Sequence, residues 1–269
     1  MTFIKNSKYL ALGLSLSVLM GCSTDEKQTV VTMKKLVLQD EFDVNGAPNS
    51  SYWNYNIGTG TNGWGNNESQ YYTSRPENIV VENGMLKITA KQELYMGSGY
   101  TSARITSKGK IEKKYGRIEA RVKLPYGKGI WPAFWMLGAN SDTVLWPQCG
   151  EIDIMEYLGN NPTTAFGSLH GPGYSGANSI TKNYTLVNDR FDTGFHVFGI
   201  EWGKNYINYY IDDVLYNRLT PADVPGEWVF NEPFYIILNV AVGGNLPGSP
   251  NSETSFPQSM YVDYIRIYE

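Results

Sequence analysis

Three acids stand within six positions of an otherwise apolar run, Glu151, Asp153 and Glu156 in the stretch GEIDIME. In a regular strand Glu151 and Asp153 share a face and Glu156 points to the opposite one. One extra residue, a β-bulge at Ile154-Met155, returns Glu156 to the face of the other two. A row of three carboxylates disfavours joint ionisation and raises the pKa of at least one of them. One ionised and one protonated carboxyl is the pair that glycoside hydrolysis requires. A calcium-binding or solvated acidic strand is the other reading of the same pattern. Ile152, Ile154 and Met155 between the acids argue against mere solvation, because they can anchor the opposite face in a core.

Other residues bear on the same chemistry. Trp131 and Trp135 lie four apart around Pro132, which speaks against a helical face and for either sugar platforms or core tryptophans. His170 precedes Gly171-Pro172-Gly173 and belongs at a rim, whereas His196 in the apolar run FHVFGI reads as structural. Cys149 sits two residues before Glu151, but no activating base is recognisable beside it. With two histidines and no CxxC, a catalytic zinc is hard to assemble, and no cofactor is expected for catalysis.

These residues need a rigid scaffold, and the pattern from Val30 onward supplies strands. Short alternating or apolar runs are punctuated by Gly, Asn, Asp and Pro, and no helical period persists over three turns. Asn83-Gly84 between two β-prone runs predicts a tight hairpin. At 116–124, Ile118, Ala120, Val122 and Leu124 share one face, and Arg117, Glu119, Arg121 and Lys123 the other. Further strands are expected at 150–157, 165–170, 195–202, 206–212, 233–242 and 260–268, with rim loops at 58–67 and 243–253. So many closely spaced strands predict an all-β sandwich of two antiparallel sheets.

The 269 residues suit one large domain after a leader. A net charge of −4 without a basic cluster excludes nucleic acid as a partner, and a monomer is expected. Aromatic residues make up 14% of the chain, which fits carbohydrate stacking or tyrosine-rich sheets alike. Lys5 and Lys8, an apolar run from Tyr9 to Met20 and then Leu19-Met20-Gly21-Cys22 have the layout of a signal peptide, too short to span a membrane. The segment resembles a bacterial lipoprotein signal. Residues 1–21 would then be removed, Cys22 acylated, and 22–34 left as a tether on a secreted lipoprotein of the outer membrane or cell surface, with 35–269 as the catalytic domain. Cys149 would have no disulfide partner.

The stretch EIDIME resembles the bulged signature of glycoside hydrolase family sixteen, as found in laminarinase-like enzymes. The resemblance extends through Trp64-Gly65-Asn66-Asn67-Glu68, Thr101 to Ile105, Gly129 to Leu137, Trp146 to Gly150 and Val262 to Arg266. It implies a concanavalin A-like β-jelly-roll with its cleft on the concave sheet, and cleavage of internal β-linkages with retention. By position, Glu151 is similar to the nucleophile, Glu156 to the acid/base, and Asp153 to the acid that tunes both. Asn66, Glu68, Arg104, Trp131, Trp135, His170 and Asn239 resemble substrate-binding positions, for which turn and ladder chemistry is the other reading. Glu41, Gly84 and Asp263 resemble a structural calcium site. The implied partner is a β-1,3- or mixed-linkage β-1,3/1,4-glucan. A hydrolase of algal galactans and a non-catalytic surface glycan-binding lipoprotein of the same fold are the alternatives; a lectin needs aromatic platforms but not an intact acid pair.

Overall fold

The computed structural model describes Met1 and residues 32–269. The leader, Cys22 and most of the tether lie outside the described residues. Among the described residues, eighteen strands follow in order. The first six are β1 (Leu36–Asp40), β2 (Asn54–Asn56), β3 (Gln70–Tyr72), β4 (Ile79–Glu82), β5 (Met85–Tyr95) and β6 (Ser98–Ser102). Next come β7 (Arg104–Thr106), β8 (Glu112–Lys113), β9 (Gly116–Lys123), β10 (Ile130–Gly138), β11 (Glu151–Tyr157) and β12 (Thr164–His170). The last are β13 (Ile180–Thr185), β14 (His196–Gly203), β15 (Tyr206–Ile211), β16 (Val214–Leu219), β17 (Phe234–Val242) and β18 (Gln258–Tyr268).

They form the two expected sheets. The front sheet runs β13-β12-β11-β10-β17-β7-β2, with β8 on β17; the back sheet runs β16-β15-β14-β9-β18-β5-β6-β3, with β1 on β18 and β4 on β5. One pairing departs from the antiparallel expectation, since β3 lies parallel to β6. β3 arrives from the rim loop at 58–67 rather than from a hairpin, so nothing forces it to run against its neighbour.

Alternation explains which residues meet. Phe134, Met136, Ile152 and Leu169 of the front sheet pack against Ile118, Ala120, Val122, Phe198, Ile200, Trp202 and Val262 of the back sheet. The wet face read at 116–124 becomes a polar layer on the outside of the back sheet, where Arg117 and Glu119 are nonetheless buried. Arg117 Nε–H donates to Tyr210 OH at 2.6 Å, and Tyr210 O–H donates to Glu119. Asn83 and Gly84 have φ of 54° and 72°, as a tight hairpin with two left-handed residues requires.

The end of the expected tether is fixed to this outer layer. Glu201 alternates with the core residues Ile200 and Trp202 and so points away from the core, yet it is 1% exposed. Backbone N–H groups of Thr32 and Met33 donate to its Oε1 at 2.7 and 3.1 Å, and the Thr32 hydroxyl donates to Oε2 at 3.2 Å. The two ends of the domain then run side by side, with Lys35 and Glu269 exchanging backbone hydrogen bonds.

Candidate active site

Gly150, at φ 78°, opens the carboxylate strand, and a Cβ there would fall 2.8 Å from Phe234. On β10, Leu137 pairs with Glu151, Trp135 with Asp153 and Ala133 with Glu156. On β12, His170 pairs with Glu151, Ser168 with Asp153 and Phe166 with Glu156. The register slips between Asp153 and Glu156 on both sides, which is the bulge expected at Ile154-Met155. Ile154 and Met155 both enter the core, and the three acids share the outer face of the front sheet with Trp131, Trp135, Phe166, Ser168 and His170.

Each acid has its own surroundings. Trp146 Nε1–H donates to Glu151 Oε2 at 3.0 Å. Trp131 Nε1–H donates to Glu156 Oε1 at 3.0 Å, and the Ser168 hydroxyl lies 3.5 Å from Oε2. His170 Nε2 stands 3.1 Å from Asp153 Oδ2 and 3.7 Å from Glu151 Oε1. The 3.1 Å approach is off the N–H axis, which leaves Asp153 Oδ2 buried without an aligned donor. Gly176 N–H donates to His170 Nδ1 at 3.0 Å, so a neutral ring carries its proton on Nε2, facing the acids.

That tautomer bears on metal binding. Glu151, Asp153 and His170 are the one group among the described residues whose ligand atoms converge, within 4.8 Å of one another. A metal on Nε2 needs that nitrogen's lone pair and a proton on Nδ1, where Gly176 already donates. The trio is therefore built to hold protons rather than a cation.

Burial pushes all three carboxyls up, each to about 8, and the charge of Asp153 adds to the rise at Glu151 and Glu156. His170 opposes the rise at both glutamates. Protons leave such a row one at a time, each departure making the next harder. Through the neutral range the row can thus hold an anion and an acid together, and a nucleophile beside a proton donor is what cleavage of a glycosidic bond needs.

The remaining expected sugar contacts gather over β10, β17 and β7. Asn239 pairs with Ala133 on one side and Arg104 on the other. Trp135 Nε1–H donates to Asn239 Oδ1 at 2.8 Å, Asn239 Nδ2–H to Tyr72 OH at 3.2 Å, and Tyr72 O–H to Glu68 Oε2 at 3.1 Å. Gln70 also donates to Glu68, at 2.7 Å, and burial raises the Glu68 carboxyl. The Arg104 guanidinium lies 4.5 Å from the Trp64 ring centre and 4.8 Å from that of Trp135. Asn66 sits in the turn Gly63–Asn67, where a Cβ on Gly63 would come within 2.5 Å of the Glu68 nitrogen. Asn67 Nδ2–H donates to Asn245 Oδ1 at 2.9 Å, which ties the rim loop at 58–67 to the one at 243–253. Trp146, Ser168, Gln70 and Tyr72 were not anticipated as site residues. The period-2 alternation of β12 would have found Ser168 opposite Asp153.

Elsewhere the structure separates candidates from the site. His196 pairs with Asp212 at 2.6 Å on the back sheet, as its structural reading requires. Cys149 is buried and its thiol is pushed up to about 11, which removes it as a nucleophile. The expected calcium ligands are only partly available. Pairings of Asp40 with Ile265 and of Leu86 with Val262 bring the neighbourhoods of Glu41 and Gly84 to one flank of β18, on either side of Asp263. Both Glu41 carboxylate oxygens, however, accept from Arg266, at 2.8 and 3.0 Å, and Asp263 Oδ2 accepts from Arg121 at 2.6 Å. As arranged, the two-carboxylate set does not fit calcium; Asp263 Oδ1 and backbone carbonyls are what remain for one.

A jelly-roll sandwich with proton-sharing carboxylates on its open sheet, beside indole and amide groups able to grip a sugar, defines a glycoside hydrolase. Residues 66–266 match the family described as "Glycosyl hydrolases family 16". The chain is 51% identical to the laminarinase catalytic domain of Thermotoga maritima MSB8, covering 87% of this chain and 98% of that one, with a TM-score of 0.84. A laminarinase from Flavobacterium sp. UMI-01 is 47% identical at a TM-score of 0.79, over 87% of this chain and 100% of that one. A β-glucanase of Rhodothermus marinus is 41% identical over 265 residues, 94% of this chain and 92% of that protein. The protein belongs to glycosyl hydrolase family 16.

Proposed function

We propose that the protein is a retaining endo-β-glucanase that cuts internal bonds of β-1,3-glucans, mixed-linkage β-1,3/1,4-glucans or both. The observation that carries this is the bulge that turns Glu156 onto the face of Glu151 and Asp153 while each glutamate keeps an indole donor of its own. A Glu151 oxygen attacks the sugar's C1 as the bond from C1 to the bridging oxygen breaks, and Glu156 gives its proton to that departing oxygen. Water then enters, Glu156 takes its proton, and the water oxygen displaces Glu151 from C1. Asp153, beside His170, holds the proton balance of the row through both steps.

Chromatography of products from a panel of plant and algal glucans tests the substrate, with short oligosaccharides expected from internal cuts. Proton NMR of a fresh digest tests the mechanism: the β-anomer is expected first, and the α-anomer first would remove the nucleophile role from Glu151. The reading of Leu19 to Cys22 supports a secreted lipoprotein, with leader 1–21, tether 22–34 and catalytic domain 35–269. Cys22→Ala is expected to release the protein from membranes or block its processing, and a wild-type protein wholly soluble after secretion would refute the anchor.

A further inference from the structure

The bulge that turns Glu156 onto the open face leaves the neighbouring strand short of support. Asp153 pairs with Ser168 and Glu156 with Phe166, so Gly167 alone stands opposite Ile154 and Met155, and the ladder between β11 and β12 is interrupted there. On its other side β12 has only β13, the last strand of the front sheet. From Ser168 to His170 the pairing with β11 runs unbroken, and Gly176 holds the His170 ring as well.

The missing support comes from the back sheet. Tyr209 alternates with Ile207 and Ile211 on the inner face of β15 and is wholly buried. Its ring lies so close beneath Gly167 that a Cβ there would fall 2.6 Å from Tyr209 Cδ1 and 2.7 Å from Tyr216 OH. Tyr209 O–H donates to the Ser168 carbonyl at 2.9 Å, both groups being buried. The Ser168 side chain emerges on the opposite face, its hydroxyl 3.5 Å from Glu156 Oε2 and 2.8 Å from that of Thr181. Trp131 holds the other oxygen of Glu156, so the indole and the hydroxyl together set the plane of that carboxyl.

We propose that Tyr209, which never meets the cleft, is a positioning residue for Glu156: reaching through the space that Gly167 leaves, it fixes the height of β12 beside the bulge and so keeps the Ser168 hydroxyl at the carboxyl that must give and retake the proton. The assignment rests on the hydrolase reading above. Without the hook the β12 backbone is free to shift where its ladder is broken, and Glu156 is aimed less well at the departing oxygen.

Tyr209→Phe keeps the ring and removes the hook. On laminari-oligosaccharides kcat is expected to fall about tenfold, with KM within about twofold of the parent protein. Burial raises the Glu156 carboxyl and the Ser168 hydroxyl opposes that rise, while Asp153 and His170, its charged neighbours, are left in place; the alkaline limb of kcat/KM should therefore move to higher pH. For β-laminaribiosyl fluoride, whose leaving group needs no proton, kcat/KM should stay within about twofold. Ser168→Ala should show the same loss and the same movement of the limb, and adding Tyr209→Phe to it should cost no more than about a further twofold. Tyr210→Phe removes an equally buried hydroxyl from the outer polar layer, and it should lower Tm while leaving rate and pH profile unchanged. Losses that multiply in the double variant, an equal loss on the fluoride, the same kinetic change in Tyr210→Phe, or wild-type kinetics in either Tyr209→Phe or Ser168→Ala would overturn the assignment. A wild-type enzyme inert on every β-glucan would instead overturn the hydrolase reading, and this assignment with it.

Discussion

At the scale of single residues, Glu151→Gln keeps the shape of the side chain and removes its charge. Hydrolysis is expected to fall by about four orders of magnitude or more, measured on purified, folded protein. A carboxyl whose pKa is raised on folding binds its proton more tightly in the folded state. Its stabilising contribution is present below the ordinary carboxylate range and is lost as pH climbs towards about 8, the value reached by Glu151. Glu151→Gln should therefore melt above the parent protein at pH 8, with the gap closing towards pH ~4.5. Activity has the opposite dependence at its alkaline edge: kcat/KM on oligosaccharides should decline above about 8 as Glu156 loses its proton. A fluoride donor, which needs no proton, should lack that limb. The acids were legible because carboxylates are out of place in an apolar strand, whereas Trp131 and Trp135 around Pro132 fitted core and platform alike and only the family resemblance pointed to the sugar. Trp146 was not legible, because only the fold shows that a residue five positions upstream turns its indole back onto Glu151.

At the scale of elements, the bulge does two jobs with one extra residue. It points Ile154 and Met155 into the core in succession, and so the position of Glu156 depends on how those side chains pack. Met155→Ala should cost about 2–5 kcal/mol through the cavity left beneath the bulge. That is a fall of roughly 5–15 °C in Tm, accompanied by a loss of kcat larger than any change in KM. The flank of β18 yields a second expectation. With Glu41 held by Arg266, a calcium ion there would have one shared carboxylate, so only millimolar calcium should raise Tm, Asp263→Asn should abolish the rise, and activity should not change. Strand alternation made β9, β11, β12, β14, β15, β17 and β18 readable within a residue or two. β13 escaped because in the edge strand ITKNYT only Ile180 and Tyr184 pack against the core, with the exposed Lys182 between them, too little to mark an alternation.

For the whole molecule, the segment that reads as linker in the sequence is partly structure. A buried carboxylate without donors costs about 1–3 kcal/mol or more, so a chain beginning at Leu36 should melt several degrees lower through loss of the Thr32 and Met33 contacts to Glu201, with unchanged kinetics on short oligosaccharides. Nothing in the composition of 22–34 announced this, because the partner is an acid more than 160 positions away. The attachment point has a geographical meaning if Cys22 carries lipid. Thr32 lies ten positions after Cys22, a distance of at most about 35 Å when fully stretched. Thr32 is pinned to the back of the sandwich, whereas the carboxylate row opens on the front. The enzyme would hang from its membrane like a boat moored by the stern, its mooring fixed to the sheet opposite the cleft, so that the tether need not cross the face on which a polymer lies.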